Sequence, residues 1–155
     1  MDWKELAGAF AAKHNVEGLT VGDGVAALEI DGMAIALAGN EEGVIASAEI
    51  GAPPPEKPEV FAHLLLEANM EAAAGGGHVF AKNPGDGAYV LIGRLVDSSG
   101  DIDAFETALG HFTDRLELWR RLLADFRPAA QEAVAASAAA QDEVVNALRS
   151  GFLRV

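Results

Sequence analysis

The residues with reactive side chains are few and poorly placed for catalysis. The 155-residue chain has four histidines and no cysteine. Without cysteine there is no thiolate nucleophile, no disulfide and no Cys-ligated zinc or iron–sulfur site. His14, His63, His78 and His111 never stand three or four apart, the spacings that turn two imidazoles toward one metal from a helix face. His63 and Glu67 are four apart and make half of a metal or acid–base pair. The run His63-Leu64-Leu65-Leu66-Glu67 is not a zincin motif, in which glutamate directly follows histidine. A solvated polar pair is the simpler reading. His111 and Arg115 border an apolar stripe, and His78 opens a strand with no partner in sight. An enzyme built on His63, Glu67 and His111 is the least supported function.

Other chemistries fail on order or spacing. Gly75-Gly76-Gly77 follows a predicted helix and precedes a predicted strand, whereas a phosphate cradle needs strand, glycine loop, helix. The glycines read instead as a helix stop and reversal. Asp23, Glu29, Asp31, Glu41 and Glu42 crowd the first hairpins without the ligand alternation of a calcium loop. No serine sits in a Gly-x-Ser-x-Gly setting. No catalytic residue, metal or cofactor is expected.

Composition narrows the partners. Asp plus Glu number 24 against 11 Lys plus Arg, a formal charge of −13. That field repels nucleic acid and anionic lipid, so neither is an expected partner. No stretch approaches the roughly 20 apolar residues that span a bilayer, so no membrane insertion is expected. Met1-Asp2-Trp3-Lys4-Glu5 lacks the basic-then-apolar order of a signal peptide, and the expected location is the cytoplasm.

The elements that carry these residues follow from periodicity. Trp3, Leu6, Ala7 and Phe10 share one face of a short helix over 2–14. Glycines then punctuate three strand-like segments, 25–30, 33–38 and 44–50. Met33, Ile35 and Leu37 alternate with Ala34, Ala36 and Ala38, bulky on one side and small on the other. Asp31-Gly32 predicts a tight hairpin. The small face would let a helix or a second subunit approach closely. Pro53 to Pro55 end the meander, and Pro58 suits the first position of a helix running to about residue 74. Phe61, Leu64, Leu65, Ala68 and Ala72 face its core, while Leu66 and Met70 widen the apolar arc beyond what one sheet requires. Strands at 78–82 and 88–96 follow. Asp103 and Glu106 have capping-box spacing, and Phe105, Leu109, Phe112, Leu116, Trp119, Leu123 and Phe126 recur at gaps of 4, 3, 4, 3, 4 and 3. That long amphipathic helix is expected to pack on its own sheet.

The resulting fold class is α+β: an antiparallel five-stranded sheet with helices packed on it, in the order α-β-β-β-α-β-β-α. It occupies residues 1–127. Residues 128–155 form an alanine-rich helical C-terminal extension with sparse anchors at Val134, Val144 and Leu148. Leu28, Ile30, Ile35, Leu37, Ile45 and Ile50 supply more apolar sheet surface than one layer of helices is expected to cover. Binding by surface, not catalysis, is the expected role. The alternative is a non-enzymatic regulatory or structural dimer that binds a folded partner through its C-terminal helices.

One segment is diagnostic. Leu64-Leu65-Leu66-Glu67-Ala68-Asn69-Met70 is followed by the triple glycine, two strands, and an acidic lead-in, Asp101-Ile102-Asp103, to a helix bearing Phe112, Leu116, Trp119 and Leu122-Leu123. This ordered set resembles the small acidic chaperones of bacterial type III secretion, the family that includes the chaperone of the translocated intimin receptor (class I). In that family Leu-Leu-x-Ala-Asn or Leu-Glu-Ala-Asn runs into an apolar residue on the central helix. The resemblance covers roughly residues 3–126. It implies a homodimer that binds the extended N-terminal segment of a secreted effector protein and keeps it soluble and secretion-competent. It places Leu65, Ala68, Asn69, Tyr89 and Leu91 near the dimer interface, and Phe10, Leu28, Ile30, Ile35 and Leu37 in client-binding pockets. On that reading Ile35→Asp weakens client binding and leaves the dimer intact. The tail after Pro128 is longer than the family requires, and the first helix is short.

Overall fold

A computed structural model describes residues 2–40, 42–75, 77–97 and 100–128. Helix α1 spans Trp3–His14, strands β1 to β4 span Thr20–Val21, Val25–Ile30, Met33–Asn40 and Gly43–Gly51, and α2 spans Pro58–Gly75. Strands β5 (Val79–Lys82) and β6 (Tyr89–Asp97) lead to α3 (Ile102–Ala124). The order is the expected one with an added two-residue strand, β1, so the antiparallel sheet has six strands, arranged β1-β2-β3-β4-β6-β5. Two residues among glycines carry too little periodicity to be read as a strand. Helix formation by residues 129–155, and with it the expected C-terminal extension, lies outside the described residues.

The hairpin between β2 and β3 forms where Asp-Gly predicts it. Asp31 and Gly32 both take positive φ, 49° and 73°, as the twist-matched two-residue turn requires. Ile30 then pairs with Met33. Pro58 opens α2, where its missing N–H would have had no helical partner.

One face of the sheet holds the core. Leu28, Ile35, Leu37, Ala46, Ala48 and Leu91 point to it and are buried. Helix α3 lays Phe105, Leu109, Phe112 and Leu116 on this face, so the long stripe packs on its own sheet as expected. Burying each such side chain contributes about 1.5–3 kcal/mol. Its cap differs from the expected one. The Asp101 carboxylate, not that of Asp103, accepts the Ala104 N–H at 2.9 Å. Glu106 is thereby free to bind Lys13 at 2.9 Å and His14 at 3.2 Å, tying the end of α1 to α3. The Lys13 hydrogen bond holds the Glu106 carboxyl below its ordinary range and raises the Lys13 ammonium in return. At the other end of α1, the Trp3 indole lies where a Cβ on Gly39 would be, so α1 seats directly on the β3 backbone.

Helix α2 buries Phe61, Leu65, Ala68 and Ala72. Phe61 meets Trp119 and Phe126 edge-on, with centroids 6.1 and 5.2 Å apart, which joins α2 to the end of α3. Asn69 ties α2 to the sheet edge. Its amide donates to the Phe80 carbonyl at 2.9 Å and accepts the Phe80 N–H at 2.6 Å. These are the outward backbone groups of edge strand β5, so Asn69 occupies positions a further strand would need. Asn69→Leu leaves both groups without their partner. About 1–3 kcal/mol per group is expected to be lost, read as a lower urea midpoint with unchanged slope.

Candidate functional site

The reactive residues sit in structural roles. His63 and Glu67 are both exposed and pair at 3.3 Å along the outside of α2. His78 lies over Gly93, edge-on to Phe112 at 5.2 Å. Burial, then the neighbouring Arg115 and His111, hold the His78 imidazole below its ordinary pKa and so neutral. The Arg115 guanidinium covers the Phe80 ring, 5.5 Å from its centroid. Among the described residues no three His, Asp or Glu side chains group as a metal site would require.

Apolar surface is what the fold leaves available, in three places. The first is the outside of α2. Leu66 is 65% exposed and Met70 80%. Beside them a small apolar groove runs between α2 and the β5–β6 edge, lined by Ala62, Leu65, Asn69, Phe80 and Tyr89. Of the five residues expected at a dimer interface, Leu65, Ala68, Tyr89 and Leu91 are buried within the subunit, and Asn69 is held by Phe80. Leu65, Asn69 and Tyr89 still floor this groove, whereas Leu91 belongs to the core.

The second lies between the end of α1 and the β2–β3 hairpin. This groove is mixed: Phe10, Val16 and Ile30 supply its apolar part, and His14, Asn15, Glu17, Glu29 and Asp31 make most of its lining polar. Beside it, β1 pairs only with Ala26 and Ala27. From Leu28 to Ile30 the outer edge of β2 has no strand partner among the described residues. Phe10 and Ile30 thus line one groove. Leu28, Ile35 and Leu37 are not with them: all three side chains are buried beneath the helix layer. The bulky face of β2 and β3 is the one the helices cover.

The third is the opposite face of the sheet, where Ala27 and Ala34 are exposed and Ala36, Ser47, Val90 and Ile92 half-buried. The sequence shows the apolar surplus at Leu66 and Met70 and the small face of β3, without assigning either to a site. The signal was present as apolar positions outside each element's core-facing set. Val16 and Glu17, on the loop after α1, carried no periodic signal at all.

Among the described residues no helix is long and apolar enough to cross a membrane. The same fold occurs in solved structures. A chain of the HopA1-SchA chaperone-effector complex superposes with a TM-score of 0.63 at 16% identity, covering 77% of this chain and 93% of that one. A chain of the ExsC-ExsE complex gives 0.66 at 20% identity, covering 79% and 97%. A chain of the heterodimeric ExoU-SpcU complex from the type III secretion system of Pseudomonas aeruginosa gives 0.56 at 20% identity, covering 74% and 95%. Comparison with curated proteins finds no match. The sequence itself matches the family described as the Tir chaperone protein (CesT) family over residues 5–120, from α1 to the penultimate turn of α3. The chain belongs to the Tir chaperone (CesT) family.

Proposed function

We propose that this protein is a cytoplasmic homodimeric chaperone. It binds the N-terminal segment of a secreted effector protein and keeps that segment soluble and competent for secretion. The family match over residues 5–120 carries this reading, because it spans α1, the whole sheet and α2.

The dimer forms through the outside of α2. Leu66 and Met70 project from a helix whose inner face is already satisfied, and a second copy offers the same patch to itself by twofold symmetry. The client lies at the other end of the sheet. An extended segment adds to the unpaired edge of β2 by main-chain hydrogen bonds, and its side chains enter the groove over Phe10, Val16 and Ile30. The acidic rim of Glu17, Glu29 and Asp31 favours a client with basic residues flanking its apolar ones. The β5 edge is closed to such addition by Asn69, which leaves β2 as the receptive edge.

The test is co-expression with the product of a neighbouring gene as candidate client. A soluble complex of two copies of this chain and one client segment is expected by light scattering. Ile30→Asp should weaken binding at least tenfold, about 1.4 kcal/mol, with the dimer and the thermal midpoint preserved. Unchanged affinity by calorimetry would rule out the groove.

A further inference from the structure

Gly93 of β6 has no side chain to fill the layer between the sheet and α3, and a histidine takes that space. The His78 imidazole lies so close over Gly93 that a Cβ there would collide with the ring. Phe112 of α3 closes the other side, edge-on, with ring centroids 5.2 Å apart. A titratable group, half-buried, thus stands where a core side chain would otherwise be needed.

Two clamps bracket it. The Gly77 N–H donates to the Ala72 carbonyl at 3.0 Å, in the last turn of α2. Beyond His78 and Val79, Asn69 holds both backbone groups of Phe80. Those groups face away from β6, so by the alternation of an antiparallel strand the N–H of Val79 faces its partner strand. The stretch between the clamps is His78–Val79 alone.

The surroundings of the ring favour its neutral form. From α3 the charges acting on it are Arg115 and, when protonated, His111. Arg115 lies over Phe80, and its Nε is buried with no acceptor among the described residues. Asp114, its neighbour in sequence, is exposed. At this point β6 presents Gly93, and the end of α2 presents Ala72 against Gly77, so neither brings a carboxylate to the ring. Burial first, and the two cationic neighbours after it, oppose formation of the imidazolium.

We propose that His78 is a proton-operated latch on the start of β5: the neutral ring seals the Gly93 notch against Phe112, and the protonated ring leaves it for water, releasing Val79 from β6 while Asn69 stops the opening at Phe80. In the open segment the ring has the ordinary histidine pKa near 6.5, so opening takes up a proton below about that pH. The closed form is fully favoured above it and loses ground as pH falls toward the lowered value, by at most about tenfold per pH unit for one proton. The latch requires neither the client groove nor the contact through α2.

Amide exchange and imidazole titration followed by NMR on the full-length protein test it, with each exchange rate divided by the intrinsic rate at the same pH. Between about pH 7 and 5.5 the protection of the Val79 N–H is expected to fall at least about threefold. In low urea that exchange is expected to stay constant, as a local opening should, while the Ala46 amide of central β4 accelerates. His78→Phe keeps a ring in the notch without a titrating nitrogen and is expected to abolish the pH effect at Val79. A pH effect that persists in that variant overturns the latch, and so does Val79 exchange that tracks urea as Ala46 does. Should His78→Phe fail to fold, the native protein still decides: a His78 titration midpoint at or above about 6.5, or Val79 protection that does not change with pH, overturns it.

Discussion

Ile35→Asp is expected to abolish folding instead of weakening binding at an intact surface. Ile35 is 1% exposed and belongs to the core beneath the helix layer. A carboxylate there has no partner, and an unpaired buried charge costs more than about 4–5 kcal/mol. Domains of this size have only about 5–15 kcal/mol of stability in total. The variant should lose its cooperative thermal transition and collect in the insoluble fraction. Ala34→Asp provides the contrast. Its neighbour on β3 faces the opposite side and is exposed, so its expected cost is within about 1 kcal/mol. If Ala34→Asp unfolds the protein and Ile35→Asp does not, the assignment of the two sheet faces is reversed, because in a strand one residue of register moves every side chain to the other face.

If the proposed homodimer forms through the outside of α2, Leu66→Asp combined with Met70→Asp should give a folded monomer. The two side chains are the most exposed large apolar groups of α2 and make no part of the subunit core. Fully burying each in a twofold contact contributes about 1.5–3 kcal/mol per side chain, and both copies contribute. Four carboxylates brought together would reverse that gain and add repulsion. Sedimentation at micromolar concentration is expected to give a monomer, with the thermal transition retained. Persistence of the dimer would place the twofold contact elsewhere. Leu65→Asp, one residue back, points inward at 5% exposure and should unfold the subunit instead.

These two contrasts mark how far the sequence could be read. The elements were legible because their periods are strong. The α3 stripe at gaps of four and three, the Asp31-Gly32 hairpin and Pro58 at the start of α2 all stand where local physics requires them. The cap of α3 was misplaced by two residues because Asp101 and Asp103 are equally good acceptors in sequence, and only packing decides which precedes the helix. Once Asp101 caps it, Glu106 turns to Lys13 and His14, a link across most of the chain length that no local pattern announces.

The binding surfaces were the less legible part. The residues assigned to client pockets were the bulkiest on the first strands, and bulk is also what a core selects. Phe10 and Ile30 meet at a groove, while Leu28, Ile35 and Leu37 are interior. The same holds on α2, where Leu65 and Ala68 are buried while Leu66 and Met70 are exposed.

From its own letters, then, the chain determined its class, its elements and the family signature along α2. Each of these depends on neighbours a few residues apart, where spacing and side-chain type suffice. Only the tertiary structure decided which apolar face is interior and which remains for a partner. A strand's two faces become distinct when helices settle on one of them, and that choice depends on contacts such as Trp3 with Gly39 and Phe61 with Phe126, between residues far apart in sequence.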